Sequence, residues 1–316
     1  MNKIIDNNIH KNIKILTISG GGIKGLIPFT ILKYIQDNLN YDIINNIDFY
    51  SGSSIGAIII MLLLHPDNKK LNNYDISKYL YNFAYRSSYH IIKTLDGLFG
   101  SKYETTKIHK DIDDIFKNIK LSDIKKDFMI PIYDINSNIV INITKESHPN
   151  MLVSDLLKGC TAAPTLYDPY NLDYIDNDIL KKYKFIDSGV VNNMPIDDIL
   201  DFVLYDKNIN KNNIKLLSFD LLYYLQCYNL TNYGLIKWSN NLSYTFMNAR
   251  REESINYCKK KLNDNYTNIY IEMPDEVVYY TITTDDSIIQ KLINITLDNL
   301  NNNTNNIIDK INNFLS

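Results

Sequence analysis

The chain has 316 residues, of which 45% are hydrophobic and 22% charged, enough for one large α/β domain or a domain with an appendage and too apolar for a disordered chain. A formal net charge of −3 and a pI near 6.0 give no reason to expect nucleic acid as a partner. Three widely spaced cysteines, Cys160, Cys227 and Cys258, suggest neither a disulfide framework nor a zinc site.

From the N-terminus, residues 1–19 lack an apolar run of signal-peptide length, and the longest apolar run, residues 55–64, is about half of a membrane span. A soluble or peripherally membrane-associated intracellular protein is the expectation. Residues 13–18 read as a buried strand that ends in S-G-G-G-I-K-G. Residues 26–39 carry apolar side chains at helical spacing, with Pro28 tolerated in the first turn. A second strand over 48–51 runs into G-S-S-I-G and then an apolar helix. This alternation opens a parallel α/β sheet.

Residues 65–119 are polar, with helical pieces expected over 77–85 and 105–116. Strands follow over 127–135 and 138–144 around an Asn136-Ser137 turn, then a helix over 151–159 that Pro164 keeps from continuing. A short strand over 184–186 delivers D-S-G. A helix over 196–205, a strand over 214–220, one or two long helices over 231–262 and a last strand over 269–273 complete the α/β pattern. Residues 287–316 read as amphipathic helix broken by the Asn tract at 301–306.

Seven of the 11 glycines fall in three clusters: Gly20, Gly21, Gly22 and Gly25; Gly52 and Gly56; and Gly189. A chain this sparing with glycine places it where backbone conformation or close approach demands it. Gly52, Ser54 and Gly56 fit G-x-S-x-G on a strand-to-helix turn, the layout of a nucleophile elbow, flanked by Ser53 and Ile55. Gly20, Gly22 and Gly25 also satisfy G-x-G-x-x-G. The dinucleotide reading asks for an acidic residue at the end of the second strand, and Asp48 falls at its start. A P-loop is excluded because no G-K-[ST] is present. An oxyanion hole built from Gly20, Gly21, Gly22, Ile23, Lys24 and Gly25 is the alternative, with Lys24 adding positive charge or standing as a solvated side chain.

None of the five histidines, His10, His65, His90, His109 and His148, stands at a strand end beside a glycine turn. Asp187 does, followed by Ser188 and Gly189. It is either a base for Ser54 or an Asx turn that caps its own loop. Asp173, Asp176 and Asp178 lack the spacing of a calcium loop and read as an acidic turn. Lys181, Lys182 and Lys184 fit anionic headgroups or plain solvation, and Tyr223, Tyr224 and Tyr228 fit an interface or the core.

In the order GGGIKG, GSSIG and DSGVVNNMP, with AAPTLYDP at 162–169, the chain resembles the patatin-like phospholipase family. That resemblance implies a three-layer α/β/α fold with a mainly parallel sheet. It implies a catalytic core over 14–198, with 199–316 as the C-terminal part of the same domain plus a helical extension. It further implies a Ser54–Asp187 dyad without histidine, metal or cofactor, and ester hydrolysis in lipid or phospholipid substrates. Two positions depart from the family pattern: Lys24 stands for Arg, and Ser188 for Gly. Were positive φ required at 188, serine would be strained by about 1 kcal/mol, and a catalytically weak lipid-binding protein of this fold would follow. A small-ester esterase or acyltransferase is the other alternative.

Overall fold

The computed structural model describes residues 12–39, 41–67, 101–176, 178–222, 235–274, 277 and 285–316, with backbone alone for 235–241. Its centre is an eight-stranded sheet. Parallel pairing joins β1 (Ile13–Ile18) to β2 (Phe49–Gly52) and to β7 (Ile214–Phe219), β2 to β3 (Asp127–Asp134), and β7 to β8 (Tyr266–Ile269). The remaining strands are antiparallel: β4 (Ile139–Ile143) and β6 (Ile179–Ile186) both pair with β3, and β5 (Tyr170–Asp176) pairs with β6. The order across the sheet is β5-β6-β3-β2-β1-β7-β8, with β4 off this path on β3.

Alternation along the central strands sends side chains to two separate cores. Leu16, Ile18, Tyr50, Phe128, Ile130, Leu217 and Phe219 point to one face. There α1 (Leu26–Asn38), α3 (Ile55–Leu63), α4 (Thr105–Phe116), α5 (Val153–Cys160), α9 (Asp286–Asn301) and α10 (Ile307–Leu315) cover the sheet, with the one-turn α2 (Ile43–Asn46) beside them. Ile15, Phe49, Met129, Ile214 and Leu216 point to the other face, under α7 (Ile196–Asp201) and α8 (Leu235–Leu262), with the one-turn α6 (Gly189–Asn192) leading into α7. Helices on both faces of a largely parallel sheet make the three-layer α/β/α arrangement expected from the sequence.

The fully buried α3 explains its apolar run: every residue from Ile55 to Leu63 is inside the protein. No helix among the described residues is long and apolar enough to cross a membrane.

Several element boundaries differ from the sequence reading. The last strand is Tyr266–Ile269, not 269–273, because pairing to β7 runs from Leu216–Tyr266 to Phe219–Ile269 and then ends. The strand ahead of Asp187 starts at Ile179 and forms a hairpin with β5, a strand the sequence reading missed. Its carboxylates read as turn formers, yet Asp173 faces Lys182 across the hairpin and Asp176 pairs with Lys181 at 2.7 Å, which offsets their low strand preference. The helix expected over 196–205 is α7 followed by a π turn over Phe202–Asp206. The helical piece expected over 77–85, together with His10, His90, Tyr223, Tyr224, Cys227 and Tyr228, lies outside the described residues.

Candidate active site

Three loops meet at the C-terminal edge of the parallel strands, where open α/β sheets leave room for ligands. The first is the turn from β2 into α3. Ser54 has φ 53° and ψ −121°, a conformation uncommon for a side-chain-bearing residue and costing about 1–3 kcal/mol. Its neighbours hold it there. The Ser53 N–H donates to the Ile18 carbonyl at 3.2 Å, and the Gly56 and Ala57 amides donate back to the Ser53 and Ser54 carbonyls. A Cβ at Gly52 would stand 2.7 Å from the Gly56 carbonyl carbon, and one at Gly56 would collide with the Ile18 carbonyl oxygen. Both glycines are thus dictated by close backbone approach, which leaves Ser54 at the tip.

The second loop follows β1. The Ser19 N–H donates to Phe219 O at 3.1 Å, and Ser19 Oγ accepts from the Leu221 N–H at 2.8 Å, so the start of the loop after β1 is tied to the end of β7. Gly22, at φ 57°, turns the chain into a short 3-10 turn over Gly22–Gly25. Of the six residues proposed for an oxyanion hole, three have amides already engaged: Gly20 N–H donates to Asn193 O, Lys24 N–H to Gly21 O, and the Gly25 N–H lies within the 3-10 turn. The amides of Gly21, Gly22 and Ile23 open the turn, and Ile55 opens α3; none of these four has an acceptor among the described residues. Lys24 is 6% exposed, which sets aside its reading as a solvated side chain. Burial lowers its pKa to about 8.

The third loop follows β6. The Asp187 N–H donates to Ala162 O at 3.0 Å, which places the A-A-P-T segment behind the aspartate. Asp187 Oδ1 accepts the Gly189 N–H at 2.8 Å, and the Ser54 side chain is near enough to the carboxylate to act on its pKa. The Asx turn therefore leaves the carboxylate beside Ser54. Burial raises the Asp187 pKa to about 6, against the opposing pull of the Gly189 amide and the nearby Ser54 hydroxyl.

Ser188 overturns the strain expectation. Its φ is −68° and ψ −10°, an ordinary right-handed conformation, and its hydroxyl donates to Pro131 O at 2.9 Å inside the protein. A serine fits because the turn needs no positive φ here.

The described histidines have other partners. The His65 ring meets Ile115 O, His109 packs edge-on against the Tyr170 ring, and His148 lies between Ser147 Oγ and Tyr183 OH. No group of three or more His, Cys, Asp or Glu among the described residues could hold a metal ion. Two features escaped sequence reasoning. Asn193, within the N-N-M-P run, faces both Gly20 and Gly189. Asp220, at the end of β7, forms a buried ion pair with Arg251 of α8; nothing in the sequence links residues 31 apart on different elements.

Residues 16–200 match the model of the family described as patatin-like phospholipase. The chain belongs to the patatin-like phospholipase family. It is 24% identical over 213 residues to patatin-like protein 3 of Arabidopsis thaliana, covering 58% of this chain and 50% of that protein. It is 23% identical over 192 residues to patatin-2-Kuras 3 of Solanum tuberosum, covering 56% and 49%. The chain thus spans about half the length of the patatin relatives it matches. Among solved structures, VipD from Legionella pneumophila aligns over 90% of this chain and 67% of its own, at 13% identity and a TM-score of 0.43. The matched region takes in all three site loops, Gly20–Gly25, Gly52–Gly56 and Asp187–Gly189.

Proposed function

We propose that this patatin-like chain is a lipid acyl hydrolase that cleaves carboxylic esters through Ser54 and Asp187. The observation that carries the reading is Ser54 on a strained elbow at the start of α3, with its side chain beside the buried Asp187 carboxylate. Residues 14–198 supply the reactive loops, and 199–316 complete the sheet and its covering helices as part of the same domain.

In the proposed reaction, Ser54 Oγ attacks the ester carbonyl carbon while its proton passes to Asp187. The tetrahedral oxyanion takes hydrogen bonds from the open amides of Gly21, Gly22 and Ile23, joined by Ile55 at the positive end of the α3 dipole. Collapse breaks the bond to the alcohol, which leaves with the proton held by Asp187. Water then attacks the acyl-serine, gives a proton to Asp187, and the fatty acid departs as Ser54 is reprotonated. A carboxylate at its ordinary pKa of about 3.9 is a poor base for serine. Burial that lifts Asp187 to about 6 makes it a better proton acceptor while leaving it ionised at neutral pH.

The family supports a lipid or phospholipid as the substrate class; the proposal adds peripheral contact with a membrane and no need for nucleic acid, metal or cofactor. The reading as a catalytically weak lipid-binding protein rested on strain at Ser188, and that strain is absent. Turnover of phosphatidylcholine vesicles and of a monomeric p-nitrophenyl ester tests the reaction. The parent protein is expected to release acid from both, faster from vesicles. Ser54→Ala is expected to lose about 10⁴-fold or more in kcat with its fold intact. Equal turnover by Ser54→Ala would remove the reading; turnover of the monomeric ester alone would leave an esterase of small acyl donors.

A further inference from the structure

Asn193 stands where the three loops meet. Its main-chain carbonyl accepts the Gly20 N–H at 3.1 Å, which ties the segment after Asp187 to the glycine loop. Its side chain is enclosed, at 7% exposure, and its Oδ1 has no hydrogen-bond partner among the described residues. An acceptor left unpaired in this way costs about 1–3 kcal/mol, a cost that an apolar side chain of similar size would avoid.

The two nearest glycines show what that side chain occupies. A Cβ at Gly20 would stand 2.7 Å from Asn193 Nδ2 and 3.2 Å from Ser54 Cβ. A Cβ at Gly189 would stand 3.0 Å from Asn193 Nδ2 and 3.0 Å from Asp187 Oδ1. One carboxamide thus fills the space that both glycines leave open, with the nucleophile across the first gap and the base across the second. A longer or branched side chain would force one of the two loops away.

We propose that Asn193 is a positioning residue of this site: its side chain braces Gly20 against Gly189, and its main chain holds Gly20, so that together they set the separation of Ser54 from Asp187. The inference rests on the proposed Ser54–Asp187 reaction and adds to it a group outside the dyad and the open amides. Its polarity has a reason as well as its size. The amide nitrogen is on the side of an ionised carboxylate, where a carboxylate in its place would repel Asp187. Of the other titratable groups, Cys160 at the end of α5 also faces Asp187, and burial keeps it a neutral thiol by raising it well above its usual range.

Asn193→Ala and Asn193→Asp, each compared with the parent in turnover, pH profile and fluorophosphonate labelling, test the proposal. Asn193→Ala keeps the main-chain bond to Gly20 and removes the brace; kcat is expected to fall about 10- to 100-fold with KM within about threefold. Asn193→Asp keeps the shape and adds a like charge; the acidic limb of kcat/KM is expected to move up by about one pH unit. If Asn193→Ala fails to fold, the Asp variant decides alone. A kcat for Asn193→Ala within about twofold of the parent, or an unmoved limb for Asn193→Asp, overturns the brace. A parent that labels at Ser54 beside an Asn193→Ala that labels equally fast overturns this inference alone. A parent that does not label at all removes the proposed reaction and the brace with it.

Discussion

In the parallel half of the sheet, Ser54 is presented by backbone that has no alternative: glycines touch across β1, β2 and α3, and the serine absorbs the strain at φ 53°. In the antiparallel half, β6 delivers Asp187 into a relaxed right-handed turn whose residues take ordinary φ and ψ. There the cost is electrostatic, a buried carboxylate with the Gly189 amide as its hydrogen-bond donor and the Ser54 side chain beside it. The candidate nucleophile is thus held by sterics and the candidate base by desolvation. The two halves should therefore respond to different perturbations.

Apart from loss of the nucleophile itself, the largest effect is expected at the proposed base. Asp187→Asn keeps the Asx acceptor for the Gly189 amide but removes the proton acceptor, and kcat should fall about 10³- to 10⁴-fold. Stability should move the other way. The folded-state pKa of about 6 lies above the unfolded value, so the folded protein binds the proton more tightly. The buried charge then destabilises the fold fully above pH 6, and the penalty fades as pH falls from about 6 to about 4. Denaturation at pH 8 should find Asp187→Asn more stable by as much as about 3 kcal/mol, with the gain vanishing near pH 4. A variant that is less stable at pH 8 would contradict desolvation as the device.

A smaller loss is expected from the steric half. Gly22→Ala places a Cβ at φ 57°, which displaces the open amides of Gly22 and Ile23; kcat should fall about 10²-fold with KM little changed, measured on the monomeric ester. The smallest effect is expected at Ser188→Gly. Activity should remain within about threefold of the parent, since no positive φ is relieved. Loss of the hydroxyl bond to Pro131 O should lower stability by about 1 kcal/mol, read from denaturant midpoints. A large gain of activity in Ser188→Gly would show that serine impedes the turn after all.

The same contrast decides what the sequence reveals. Gly52 and Gly56 are legible because α3 packs against the backbone of β2 and Ile18 with no room for a Cβ, so the G-x-S-x-G spacing stands out in a glycine-poor chain. The central strands are legible for a related reason: burial on both faces leaves apolar runs at Ile13–Ile18 and Ile214–Phe219. The turn at Asp187 carries no such constraint. Its conformation could not be read from D-S-G, and the expected strain at Ser188 was an inference about φ that only coordinates answer. The amides of Gly20, Lys24 and Gly25 look like open donors along the sequence, because what they bond to depends on how the loops meet and fold. The hairpin of β5 and β6 was missed because its stabilising charge pairs are cross-strand and invisible along the chain.

The rate of fluorophosphonate labelling at Ser54 as a function of pH tests the pairing of the two halves most directly. An adduct on Ser54 alone is expected, with a rate that rises to half its maximum near pH 6 as Asp187 ionises and that collapses in Asp187→Asn. An unlabelled Ser54, or a labelling rate that stays level through pH 6 and survives in Asp187→Asn, would contradict the account.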